Sequence, residues 1–222
     1  MHFDSFVLAA STATLAEDPD ARAHADAIEF RMDLATDPLT ALETYDGELP
    51  ILATNRAAWE GGEAEDEGRL EALAEATEHD AVEAIDVELE SILAGEADGV
   101  LEAARDRDVA VVASAHDFEG TPPRHELVRT LTEAGKYADV AKLAVTAESK
   151  ADTIALLSAT EQLTYHGDTV ATMAMGEVGR HTRAVAPVYG SRIGYAPVDP
   201  TKATAPGQYD LETLSRLVGQ LE

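Results

Sequence analysis

Short apolar runs that read as strands recur along the chain, each followed by a helix-like stretch. The alternation repeats about eight times, which is the pattern of a (β/α)8 TIM barrel. A helix between successive strands carries the chain back to the starting end of the sheet, so the strands are expected to run parallel. Strands are expected at 7–10, 27–33, 50–56, 81–89, 109–116, 139–145 and 169–175, with a last one near 191–195. Helices are expected over 37–45, over 63–78, from a cap at Ser91 to 105, up to about 135, over 148–162 and from Leu211 onward. A doubly wound open sheet is the rival architecture, but no Gly-x-Gly-x-x-Gly turn follows the first strand. At 222 residues the chain is expected to form a single domain spanning 1–222.

The 27–33 strand places Glu29, Arg31 and Asp33 on one face and Ile28, Phe30 and Met32 on the other. Where helices cover a parallel sheet, such a charged face needs a polar enclosure rather than open solvent. Later strands bring further polar residues to the same, C-terminal end: Arg56, then Asp86 and Glu88, then Ser114 and His116, then Lys142, with Arg183 and Gln208 added from loops. In a (β/α)8 barrel that end carries the active site. Lys142 stands out because it sits in the otherwise apolar run 140–145 and is expected to be buried. Burial disfavours the ammonium form, which is how an amine becomes nucleophilic enough to form a Schiff base with a ketone near neutral pH. Taken singly, a strand-end lysine also reads as a snorkelling side chain, a histidine as a structural hydrogen-bonding residue and an arginine as an ion-pair partner. Their recurrence at one end of successive strands is what makes them a candidate site. Arginines in an acidic chain point to a carboxylate-bearing substrate, and lysine with histidine points to imine chemistry with proton transfer.

Charge narrows the partners. With 43 acidic against 16 basic residues the net charge is −27, which repels nucleic acid and anionic membranes, so neither is expected as a partner. Molar salt would screen such a charge to within about 3 Å, so a salt-rich cytoplasm is expected. An acidic protein in dilute buffer is the alternative. Segment 63–78, whose carboxylates are opposed only by Arg69, is expected to be a solvated outer helix face. The first five residues lack a basic region and an apolar signal core, so no export signal is expected. The absence of cysteine excludes disulfides and thiolate metal sites.

The segments Glu29-Phe30-Arg31-x-Asp33, Thr54-x-Arg56 with Glu60-Gly61-Gly62, Asp86-x-Glu88, Ser114-x-His116-Asp117-Phe118, Ala138-Asp139-x-x-Lys142-x-Ala144, Met173 with Arg183, and Ala205-Pro206-Gly207-Gln208 follow one another over nearly the whole chain. In that order they resemble type I 3-dehydroquinate dehydratase. The resemblance implies a (β/α)8 barrel that converts 3-dehydroquinate into 3-dehydroshikimate and water in the shikimate pathway. It also implies that no metal or other cofactor is used and that the enzyme is a cytoplasmic homodimer associating through outer helices. By the same resemblance Lys142 would form the imine, His116 would move the protons and Glu29 would orient the imidazole. Arg183 would hold the substrate carboxylate; Arg31, Arg56, Glu60, Thr204 and Gln208 would contact ring hydroxyls or the carboxylate, and Met173 would pack on the ring. Thr204 replaces the family's usual serine, 192–202 is less typical, and a hairpin under the barrel floor is expected to be reduced or missing. The competing readings are another Schiff-base barrel enzyme such as an aldolase, a metal-dependent hydrolase built on Asp86, Glu88, His116 and Asp117, and a barrel retained for binding alone.

Overall fold

The computed structural model describes residues 1–202, 205 and 207–221, and among them eight parallel strands form a nearly closed barrel. They are β1 (Val7–Thr12), β2 (Ala27–Arg31), β3 (Ile51–Thr54), β4 (Val82–Glu88), β5 (Ala110–Asp117), β6 (Val140–Thr146), β7 (Val170–Met175) and β8 (Ile193–Pro197). The order around the sheet is β7-β6-β5-β4-β3-β2-β1-β8. At the β7–β8 seam the Arg192 N–H donates to the Val170 carbonyl at 2.8 Å, and the Thr172 N–H donates to Ser191 Oγ at 2.9 Å. These bonds tie the two edge strands and complete the (β/α)8 architecture expected from the alternation.

The period of two along each strand separates two cores. Ile28, Phe30, Ile51 and Ile85 point outward and pack with helix residues such as Leu73, Leu127, Leu131 and Leu156. Full burial of such a side chain contributes about 1.5–3 kcal/mol. Val7, Ala9, Leu52, Val112, Val140 and Ile193 point inward and, with Phe3 from the leading segment, fill the lower barrel. One step further along each strand the interior turns polar. The parallel register aligns Ser11 with Glu29, Thr54 with Asp86, and Ser114 with both Glu88 and Lys142. The lower barrel is thus a packed apolar plug, and the charged layer sits directly on it.

Three expectations are corrected. The expected 63–78 helix starts only at Arg69 and runs Arg69–Ala76. Its first part is a loop because Ala64 bridges to Ala57: the Ala58 N–H donates to the Ala64 carbonyl at 2.9 Å and the Ala64 N–H to the Arg56 carbonyl at 3.1 Å. Backbone groups that a helix would need are spent on that clasp. Ser91 is no N-cap. It lies inside a short helix, Leu89–Leu93, separated from Asp98–Asp106 by Gly95 at φ 77°. The 27–33 strand, finally, ends at Arg31, and a 3-10 turn, Met32–Leu34, carries Asp33 round so that its carboxylate grips Arg31. The capping box at Ser149 and Asp152 starts the Lys150–Tyr165 helix within two residues of the expected position.

Candidate active site

The polar ends of the strands enclose a cleft of ≈ 550 Å³, lined among others by Glu29, Arg31, Arg56, Glu60, His116, Lys142, Met173, Arg183 and Gln208. These nine candidates thus line one mouth, whereas Asp33, Asp86, Glu88 and Ser114 do not line the cleft and instead bond the residues that do. Thr204 lies outside the described residues.

Lys142 is 4% exposed, as its apolar flanks predict. Its Nζ donates to Asp86 Oδ2 at 2.7 Å and lies 4.2 Å from the centroid of the Tyr195 ring on β8. The amine is thus held between one carboxylate and one aromatic face. Asp86 is not its counter-ion alone. Asp86 Oδ1 accepts from the Ser114 hydroxyl at 2.6 Å and faces Arg56 Nη2 at 2.8 Å. Burial pushes the Asp86 pKa up, but Arg56 and Lys142 outweigh it and hold the carboxyl well below its usual range. Burial likewise pulls Arg56 down, yet Asp86 and Glu88 together hold its guanidinium above the ordinary value. The Arg56 Nη1 also donates to Ser114 Oγ at 2.7 Å and to Glu88 Oε1 at 3.1 Å.

His116 meets a carboxylate, but not the one the resemblance suggested. Glu60 Oε1 accepts from the His116 backbone N–H at 2.7 Å and lies 3.1 Å from Nδ1. Glu29 instead bonds the hydroxyls of Ser11 and Thr54. The expectation that Glu29 orients the imidazole is corrected for a geometric reason. Glu29 belongs to the layer of Ser11 and Thr54, whereas Glu60 rides on the 57–64 loop, which brings it over the end of β5. Gly61 at φ 80° and Gly62, where an added Cβ would lie 2.1 Å from the Arg56 carbonyl, let that loop fold tightly enough. Phe118 stacks on the His116 ring with centroids 5.8 Å apart.

Burial pushes the Glu60 pKa up to about 7, against the pull of Arg56. Burial, aided by Arg56 and Lys142, pushes the imidazole well below 6.5, so His116 is neutral at pH 7 and fit to accept a proton. Arg31 is clamped by Asp33 through two bonds, at 2.8 and 2.6 Å. Burial lowers Arg183 to about 10, partly offset by Glu29. Gln208 accepts from the Ala205 N–H at 3.2 Å.

Two residues of this layer lie outside the sequence-derived candidates. Tyr195 faces inward only because of the β8 register, and its phenol is pushed well above 10 by burial and by Asp86 and Glu29. Arg69, read from sequence as part of the outer acidic face, is 3% exposed and turns inward to Glu88. The alternation of β8 could have found Tyr195; nothing local to Arg69 distinguishes it from a surface arginine.

A sequence model of the type I 3-dehydroquinase family matches residues 6–222. A 3-dehydroquinate dehydratase of Haloarcula marismortui is 58% identical over 226 residues, covering 100% of this chain and 99% of the relative. That of Halobacterium salinarum is 51% identical, covering 100% of both. Among solved structures, 3-dehydroquinate dehydratase from Geobacillus kaustophilus superposes with a TM-score of 0.86 at 27% identity, covering 98% of this chain and 91% of that one. The type I enzyme of Clostridium difficile, described as carrying covalently modified comenic acid, gives 0.85 at 27% identity, covering 98% and 92%.

Proposed function

Because the chain belongs to the type I 3-dehydroquinase family, its reaction is the dehydration of 3-dehydroquinate to 3-dehydroshikimate in the shikimate pathway, and we propose that Lys142 carries it as the imine-forming amine. The observation that carries this assignment is the placement of the Lys142 Nζ in the cleft, between Asp86 and the Tyr195 ring and beside His116.

The unprotonated Nζ adds to the C3 ketone, and the carbinolamine takes up one proton from solvent and loses water to give a protonated imine that draws electrons from C2; that proton is released again when the product imine is hydrolysed. Neutral His116 then removes a C2 proton. The electron pair left at C2 expels the C1 hydroxyl, which takes a proton from the imidazolium and departs as the second water. Hydrolysis of the product imine consumes one water, so the net change is the loss of one. Glu60 takes the orienting role toward the imidazole: its ionised carboxylate accepts from Nδ1 and leaves Nε2 as the basic nitrogen. Glu29, with Ser11 and Thr54, supports the floor of the site. Arg183 and Arg31 meet the carboxylate and hydroxyls of the substrate, Arg56, Thr204 and Gln208 add polar contacts, and Met173 packs against the ring. Neither a metal nor an organic cofactor enters this scheme, since the imine supplies the electrophilic activation.

All of 1–222 acts as one catalytic domain, in the cytoplasm and as a homodimer. Among the described residues no helix is long and apolar enough to cross a membrane. For the dimer, the support is that the Lys150–Tyr165 helix exposes Ile154 and Tyr165 on an otherwise acidic molecule. Light scattering in molar salt tests the assembly, and a monomer at micromolar concentration overturns it.

The test of the chemistry is borohydride reduction of the wild-type protein during turnover of 3-dehydroquinate, followed by peptide mapping. A reduced adduct on Lys142 is expected. Turnover with the adduct on Lys136, Lys150 or Lys202 would overturn the assignment of the amine.

A further inference from the structure

Behind the catalytic layer runs a buried chain of alternating charges: Arg69, Glu88, Arg56, Asp86, Lys142. All five are less than 5% exposed. Asp86 and Glu88 lie on β4, Lys142 on β6, and Arg56 follows β3. The first, Arg69, opens the helix Arg69–Ala76 outside the barrel and reaches in between the ends of β3 and β4.

We infer that Arg69 is a positioning residue for the dehydration: by holding Glu88, it holds Arg56 and the root of the loop that carries Glu60. The inference rests on the roles given above to Lys142, Arg56 and Glu60. Arg69 Nη1 bonds Glu88 Oε2, and Nη2 donates to Ser91 Oγ at 3.0 Å. With Oε2 engaged, Glu88 presents Oε1 to two donors, Arg56 Nη1 at 3.1 Å and the Ala57 N–H at 3.0 Å. The second bond anchors the first residue of the 57–64 loop. The Asn55 side chain closes the same corner by donating to the Arg69 carbonyl at 3.0 Å. Trp59 ties the loop to the segment just before the same helix, because its Nε1 donates to Asp66 Oδ1 at 2.8 Å and that oxygen lies 4.0 Å from Arg69 Nε.

The consequence for the reaction follows from charge balance. Within the chain three cations face two anions. Without Arg69, Glu88 Oε2 loses its donor in a buried setting, and Arg56, already bonded to Oε1, is the nearest cation able to satisfy it. Arg56 is then drawn toward Glu88 and away from Asp86 and Ser114. Asp86 is left with Lys142 as its principal partner, which tightens the Nζ–Asp86 contact and holds the amine back from the ketone it must attack. The fork geometry matters as well as the charge, since a lysine at 69 can reach Glu88 or Ser91 but cannot span both in one plane.

The experiment compares Arg69→Gln and Arg69→Lys with wild type in molar potassium chloride, reading kcat, KM, the rate of borohydride-trapped adduct formation at saturating 3-dehydroquinate, and Tm. Displacement of catalytic groups by about 1 Å can cost on the order of 10²-fold. Arg69→Gln is expected to lower kcat and the trapping rate by about 10-fold or more and to raise KM, with Arg69→Lys intermediate. Added guanidinium is expected to restore part of the Arg69→Gln loss. A merely structural arginine would lower Tm and leave kcat, KM and trapping in the folded fraction within twofold of wild type, and that result overturns the inference. If Arg69→Gln does not fold, Arg69→Lys alone decides: a slower trapping rate at unchanged Tm supports the role, and an unchanged rate overturns it. Absence of a Lys142 adduct in the wild type would instead refute the imine assignment, so the two failures are distinguishable.

Discussion

The outer helices and the barrel mouth are both built on charge, yet charge does opposite things in the two places. On the outside, ion pairs such as Lys136–Glu133 and Arg107–Glu78 join exposed side chains in water. Such pairs are typically worth about 0–1 kcal/mol and are screened by salt. At the mouth, Arg69, Glu88, Arg56, Asp86 and Lys142 are almost wholly removed from water. Breaking a buried pair by removing one partner typically costs about 3–5 kcal/mol, because the remaining charge is left uncompensated. Acidic residues in excess outside act as a solvated, mutually repelling shell. Inside, two carboxylates lie among three cations, and each carboxylate oxygen has a named partner.

The largest effect expected is at the amine. Lys142→Ala should leave the fold intact by circular dichroism in molar salt, abolish turnover and give no trapped adduct; retention of measurable turnover would break the contrast, since the buried layer would then be structural only. Next is the proton-transfer pair. His116→Ala should slow elimination by roughly 10²-fold or more, checked by single-turnover kinetics.

Glu60 sharpens the comparison through pH. Its pKa is raised by burial to about 7, so its ionised form, the one that accepts from His116 Nδ1, grows in as pH rises through 7. The kcat/KM profile should therefore have an acid limb near 7, and Glu60→Gln should flatten that limb as well as reduce the rate. The same raised pKa gives the linkage sign. Its contribution to stability is fully present below the unfolded pKa near 4.5 and is lost as pH rises through about 7. Unfolding midpoints of wild type and Glu60→Gln should thus lie closest near pH 4 and separate toward pH 8, with wild type losing stability relative to the variant.

Salt tests the two regions together. Screening should raise Tm from low to molar potassium chloride, because the outer shell repels itself, and should raise KM, because attraction of the substrate carboxylate to Arg31, Arg183 and Lys142 weakens. A Tm that stays flat or falls would remove the outer half of the contrast. The smallest effect belongs to a single exposed pair: Lys136→Ala should leave Tm and kcat unchanged within error, and a clear loss would show that surface charge here is more organised than its exposure indicates.

Strand–helix alternation and the apolar runs were sufficient for the barrel, because helix and strand periodicity are local properties of the chain. The alternation of 27–33 and the apolar setting of Lys142 likewise announced that Glu29, Arg31 and Lys142 would face inward, and these three line one mouth, whereas Asp33 leaves the strand. What the chain could not announce was partnership. Glu29 and Glu60 are both carboxylates near strand ends, and only the packed barrel decides that the loop folded on Gly61 and Gly62 brings Glu60 to His116 while Glu29 stays with Ser11 and Thr54. Arg69 makes the same point more sharply. Among the acidic residues of 63–78 it reads as a surface counter-charge, but the clasp between Ala57 and Ala64 delays the helix until Arg69, turning that side chain toward Glu88. Periodicity fixes which face a residue occupies, since that depends on neighbours in sequence. Which charge it meets depends on loops and helices from distant parts of the chain, and only their packing settles it.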